Sequence, residues 1–318
     1  MRKIPVTIVT GFLGAGKTSL LRHLVAHAGR TLALLINEFG TLGIDRELLQ
    51  ACPDACAEDA VIELANGCIC CTVAEDFLPA LTRLLARGAL DHIVIETSGL
   101  ALPKPLLQAF AWPEVKAKVT VDGVIAVIDA TARRAAAADD PVGEVFDDQL
   151  AAADLVLLNK IDLLDAPSLA ATEADLALRL RPGVRVLRAT HGVAAPSVIL
   201  GLAAAAEDDI AARPSHHDLE AEHDHEDFDS FVLAHGPVGD PAKFVERLKP
   251  VIARHGILRL KGFLDVPGLA FCAVVQAVGP RVERYFDRPW RADELRASRL
   301  VVIGLKGLDR AAIEAELA

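Results

Sequence analysis

Residues 11–18, Gly-Phe-Leu-Gly-Ala-Gly-Lys-Thr, have the types and spacing of a loop that cradles polyphosphate. Gly11, Gly14 and Gly16 let the backbone approach phosphate oxygens with successive N–H groups turned inward. Lys17 is placed for the β- and γ-phosphates and the Thr18 hydroxyl for Mg²⁺, while Ala15 and Ser19 belong to the same backbone cradle. The helix opening at Ser19 adds its positive end. An ordinary glycine-rich turn would not need all four fixed positions of the motif filled between an apolar strand and a helical pattern.

Asn159-Lys160-Ile161-Asp162 follows the apolar run Leu155–Leu158 and has the Asn-Lys-x-Asp form that reads guanine. A carboxylate at Asp162 accepts from the ring N–H and the exocyclic amino group, a donor pair adenine lacks. Asn159 is expected to complete the base contacts, and the stem of Lys160 to cover the ring. The run His92–Gly99 reads as a second metal segment, with Glu96 holding the Mg²⁺ hydration shell and the Gly99 N–H facing the γ-phosphate. GTP and Mg²⁺ are therefore the expected ligands, with Lys17, Thr18 and Glu96 as the catalytic set. No glutamine directly follows Gly99 to orient a water, so slow intrinsic turnover is expected.

Gly67-Cys68-Ile69-Cys70-Cys71 points to different chemistry. In an extended chain Cys68 and Cys70 share a face and Cys71 takes the other. Two or three thiolates suit one borderline ion, Co²⁺ or Zn²⁺, in an open site rather than a closed structural one. The alternative is that these cysteines act as small buried hydrophobes. Glu38, in Asn37-Glu38-Phe39-Gly40, is either a metal ligand or a solvated loop acid. Cys52 and Cys56 read as loop residues and Cys272 as core. Six clustered or isolated thiols in a chain with no signal-peptide pattern argue against a disulfide framework and for a cytoplasmic setting.

The elements that must position these residues alternate. Apolar strands are expected at Val6–Thr10, Leu32–Asn37, His92–Glu96, Gly123–Asp129, Leu155–Asn159 and Val184–Ala189. Helical patterns lie between them, as at Ser19–Ala28, Phe77–Arg87 and Ser168–Leu180. That alternation implies an α/β domain with a mostly parallel sheet over residues 1–214 and a ligand at the strands' carboxyl ends. Residues 215–227 are acidic and carry His216, His217, His223 and His225, which makes a polar linker that either collects metal loosely or merely solvates. A small α+β domain follows over 228–318, with strands at Phe228–Leu233, Ile257–Leu264, Leu269–Ala277 and Leu300–Leu305. Its helices are expected at Pro241–Arg254 and Asp309–Leu317. The chain of 318 residues has a net charge of −11, which argues against nucleic acid, and no apolar run long enough to span a membrane.

Taken in order, the phosphate loop, Ile-Asn-Glu-Phe-Gly, Asn-Gly-Cys-Ile-Cys-Cys, Ile-Glu-Thr-Ser-Gly, Leu-Asn-Lys-Ile-Asp and the C-terminal Arg-Leu-Lys-Gly-Phe resemble the metallochaperone family of P-loop GTPases. The resemblance runs the whole length, and the thiol motif and Glu96 are its specific markers. It implies a GTPase that loads a divalent metal, Co²⁺ by expectation with Zn²⁺ possible, and serves the cobaltochelatase of cobalamin synthesis. It says nothing of oligomeric state. Acids that some relatives carry at the positions of Ile36 and Thr41 are absent, so no metal site built on them carries over. The rival class is a non-enzymatic metal store that GTP stabilises.

Overall fold

The computed structural model describes residues 3–37, 61–64, 77–86, 90–132, 141–215, 228–279, 281–290 and 296–317. Seven runs form one sheet in the order β3-β2-β4-β1-β5-β6-β7. They are β1 (Ile4–Thr10), β2 (Leu32–Asn37), β3 (Val61–Leu64), β4 (His92–Glu96), β5 (Val119–Asp129), β6 (Leu155–Asn159) and β7 (Arg185–Arg188). Every pairing between them is parallel. The reason lies in composition. β2, β4 and β6 are buried along their whole length, as a sheet covered on both faces requires.

Between the strands lie α1 (Lys17–His27), α2 (Leu78–Ala86), α3 (Pro103–Phe110), α4 (Pro113–Lys116), α5 (Pro141–Ala152) and α6 (Ala166–Arg179), and α7 (Pro196–Ile199) follows β7. Val6, Ile8, Leu35, Ile93 and Ile95 join Phe77, Leu81, Leu107 and Phe110 in one core. Ile128, Val156 and Leu158 join Phe146, Leu150 and Leu176 in another. The chain leaves β1 toward one side of the sheet and later fills the other side with β5, β6 and β7. β1 is thus the switch strand, whose carboxyl end is where a ligand crevice opens in such a sheet.

β5 starts four residues earlier than its sequence pattern suggests, because Val119–Val121 also pair with Ile4–Val6, ahead of a register shift between Val6 and Thr7. Asp122 falls in that bulge and its carboxylate caps the N–H groups of Leu202 and Ala203. It also sits beside Thr7, whose hydroxyl is 2.8 Å from His92 Nε2. Burial pushes the His92 imidazole down to about 4, partly opposed by Asp122. At the end of this unit Arg213, 1 % exposed, donates to both carboxylate oxygens of Asp154 and to Asp209.

The second unit is a five-stranded antiparallel sheet, order β11-β10-β9-β12-β8. Its strands are β8 (Phe228–His235), β9 (Ile257–Leu264), β10 (Phe271–Val278), β11 (Arg281–Pro289) and β12 (Ser298–Leu305). Helices α8 (Pro241–His255) and α9 (Arg310–Leu317) pack on it through Phe244, Leu248, Ile252, Ile313 and Leu317. Asp240 caps the start of α8 and left-handed Gly256 ends it. Among the described residues no helix is long and apolar enough to cross a membrane.

Candidate nucleotide and metal site

Gly11 and Gly16 hold φ of 132° and 108°, and each also stands where a side chain has no room. A Cβ on Gly11 would overlap the Val127 carbonyl of β5, and one on Gly16 would overlap the Asn159 amide at the end of β6. The loop is therefore pressed against the ends of β5 and β6. Lys17 is 5 % exposed and its ammonium donates to Gly11 O at 2.6 Å and Phe12 O at 3.2 Å, which holds it over the loop. The Thr18 hydroxyl donates to Glu96 Oε1 at 3.4 Å. The two residues expected to serve one cation thus meet between the first turn of α1 and the end of β4, and a hydroxyl beside a carboxylate is the hard oxygen pairing that a Mg²⁺-like ion takes.

β4 is tied to the loop's own strand just beyond Glu96. Thr97 N–H donates to Val9 O, and the Thr97 hydroxyl to that of Thr10. Gly99 abuts Leu13 so closely that a Cβ there would overlap it. Its carbonyl accepts from Gln149 Nε2 at 3.2 Å, and the same amide donates to Ala101 O at 3.3 Å. Gln149 is fully buried on α5. Nothing local in the sequence marks it, because it lies 50 residues from the loop it holds.

The guanine-reading segment sits at the end of β6. The Asn159 side chain makes two bonds to backbone: Nδ2 donates to Ala15 O and Oδ1 accepts from Gly192 N–H, both at 2.9 Å. The side chain is buried, so it joins the phosphate loop to the segment after β7. Lys160, at φ 63°, sends its ammonium back to Gly14 O at 2.7 Å and Asp129 Oδ2 at 2.9 Å. Its stem spans the gap between β6 and the loop, as a cover for a planar ring would. Burial alone would raise the Asp129 carboxyl, but the Thr131 hydroxyl and the Lys160 ammonium outweigh it and hold it below the usual range. Asp162 opens outward in a single 3₁₀ turn, Ile161–Leu163, and is exposed.

Residues 189–192 close this end; Ala189, expected as the last residue of a strand, lies just beyond β7. Ala189 N–H bonds Leu158 O and its carbonyl accepts from Ile161 N–H, while Gly192 packs on the backbone of Ser19 and Leu20. So short a turn carries little pattern of its own; His191 and Gly192 are both left-handed in it, at φ 55° and 72°. Of the other candidates, Glu38, Cys68, Cys70, Cys71, Cys52, Cys56 and the four linker histidines lie outside the described residues. Cys272 is buried in β10, as expected of a core thiol.

A phosphate loop at the switch strand, a hydroxyl–carboxylate pair beside it and an Asn-Lys-x-Asp strand end define a P-loop GTPase. Comparison with known proteins gives the same class. Residues 5–188 match the CobW/HypB/UreG nucleotide-binding domain, and residues 228–318 match the cobalamin synthesis protein cobW C-terminal domain. The chain belongs to the CobW/HypB/UreG family of GTPases. It is 50% identical to the zinc chaperone CobW of Sinorhizobium sp, over 99% of this chain and 96% of that one. It is also 50% identical to the zinc chaperone CobW of Pseudomonas aeruginosa, over 100% of this chain and 91% of the other. The zinc chaperone YjiA of Escherichia coli is 32% identical over 96% of this chain and 95% of its own length.

Proposed function

We propose that the protein is a cytoplasmic GTP-driven metallochaperone that carries Zn²⁺ on Cys68, Cys70 and Cys71, with Glu38 as a further ligand. The observation that carries this reading is the pairing of a formed GTPase site with relatives of near full length that are named zinc chaperones. Thiolates accept Zn²⁺ and Co²⁺ alike, and the relatives' names move the weight to Zn²⁺. Co²⁺ with delivery to a cobaltochelatase is the second reading, and it rests on the order of the motifs alone.

In the GTPase unit, Thr18 and Glu96 would hold Mg²⁺, which would supply charge neutralisation at the phosphates. Lys17 leaves the Gly11 and Phe12 carbonyls to meet the β- and γ-oxygens. Gly99, kept in place by Gln149, offers its N–H toward the γ-phosphate. Asp162 selects guanine, while Asn159 and Lys160 hold the wall in which the base lies. An ordered γ-phosphate reorganises nearby loops, and hydrolysis releases them. Cys68–Cys71 lies in sequence between Glu38 and Glu96, so a loop change there would reach the metal.

The test is Zn²⁺ and Co²⁺ affinity measured with Mg²⁺ plus a non-hydrolysable GTP analogue, and again with Mg²⁺ plus GDP. A carrier binds metal about 5–150-fold differently in the two states, and metal shifts nucleotide affinity by the same factor. Equal affinities would leave a GTP-stabilised store. Base selection is tested separately: Asp162→Asn should lose about 10–100-fold in GTP affinity and come to prefer xanthosine triphosphate.

A further inference from the structure

Helix α1 presents two side chains that the nucleotide chemistry does not use. His23 and His27 are four residues apart and so lie on one flank of the helix. Their ring centroids are 4.4 Å apart with an interplanar angle of 25°. His27 Nδ1 lies 2.9 Å from His23 O. A carbonyl only accepts, so Nδ1 carries the hydrogen and a neutral ring keeps its lone pair on Nε2. A ring N–H fixed on a backbone carbonyl is the outer bond that orients metal-binding imidazoles. Two Zn–N bonds of about 2.0–2.1 Å at a tetrahedral angle put the nitrogens roughly 3.3 Å apart. The stacked rings lie in near-parallel planes, so one ring has to turn out of the stack before both lone pairs meet one ion; His23 is half-buried and His27 exposed.

We propose that His23 and His27 form a second, two-imidazole site for Zn²⁺ on the flank of α1, with water completing the coordination. The site goes beyond the thiol motif and does not depend on it. It is also separate from the Thr18–Glu96 pair, because five helical residues put His23 about 7.5 Å along the axis from Thr18. Nitrogen donors favour zinc over magnesium, and His27 in the last turn sits at the helix end where a cation is favoured. Among the described residues no third His, Cys, Asp or Glu completes a cluster. With half its coordination taken by water, the site exchanges metal readily rather than storing it.

Peptide-resolved carbethoxylation of the full-length protein by diethyl pyrocarbonate tests this, with zinc chloride and magnesium chloride titrated in parallel. Zinc should slow modification of His23 and His27 at least fivefold over one shared concentration range, magnesium should not, and exposed His191 serves as reference. His23→Gln should abolish protection of His27, and His27→Gln that of His23. Glutamine is a good helix former, and GTP affinity within twofold of the parent in both variants reports an intact α1. Protection of either histidine that survives loss of the other overturns the site, as does the absence of any protection.

Discussion

Removing the Asn159 amide leaves Ala15 O and Gly192 N–H, two buried backbone groups, without the partner each has now. An unsatisfied buried group costs about 1–3 kcal/mol. Asn159→Ala should therefore weaken GTP and GDP alike, by roughly 10-fold or more, since the loop and the 189–192 wall both lose their tie. Fluorescent-nucleotide titration measures the loss, and a lower melting temperature of the nucleotide-free protein distinguishes a broken tie from a lost base contact, which would leave that temperature alone. His92 gives a prediction of the opposite kind, blind to nucleotide. Its pKa falls from an unfolded value near 6.5 to about 4. Between those values the unfolded chain binds the proton and the native one does not, so stability is full above about pH 6.5 and declines as pH falls toward 4. The full decline is on the order of 3 kcal/mol. His92→Asn should flatten urea-midpoint against pH in that window, whatever it does to stability at neutral pH.

At the scale of elements, α5 acts as a brace for the loop after β4. Gln149 is its point of contact, through two carbonyls on Gly99 and Ala101. Gln149→Leu keeps the volume but loses both donors, and should slow GTP hydrolysis about 10-fold while GDP affinity stays within twofold. Gln149→Glu should recover part of the rate as pH falls, because a protonated carboxyl regains one donor. A loss of GDP affinity equal to the loss of rate would instead mean general damage to the unit. The strands bearing the site were legible because β4 and β6 are unbroken apolar runs ending in Glu96 and Asn159. β11 was not, since Arg-Val-Glu-Arg-Tyr-Phe-Asp-Arg-Pro reads as a charged loop and needs its neighbour β10 to become an edge strand. α3 was hidden by Pro103 and Pro105, which suit a first turn only once the entry point is known. The motif residues announced themselves, yet the long-range bonds of Asn159 and Gln149 did not, because a side chain's partner 50 or 144 residues away leaves no local pattern.

Across the whole molecule, each unit has its own core, and the first closes on Arg213. Its guanidinium is 1 % exposed and faces Asp154 and Asp209. Arg213→Met should cost the first unit about 3–5 kcal/mol, because Asp154 loses its nearest cation and keeps the more distant Arg181 and the Val124 N–H. Urea unfolding followed by probes in each unit should show the loss in the first transition alone. The strand order carries a consequence for how the protein is made. β1 emerges first, but its two neighbours are β4 and β5, and the end of β4 lies roughly 85 residues further on. At a synthesis rate of about 5–20 residues per second, this central strand of the sheet waits about 4–17 s on the ribosome with neither flank covered. Throughout that interval the nascent chain offers Val6, Ile8 and Val9 to any other exposed strand nearby, so the rate of translation and the supply of holdase chaperones decide how much of each new chain reaches its native pairing.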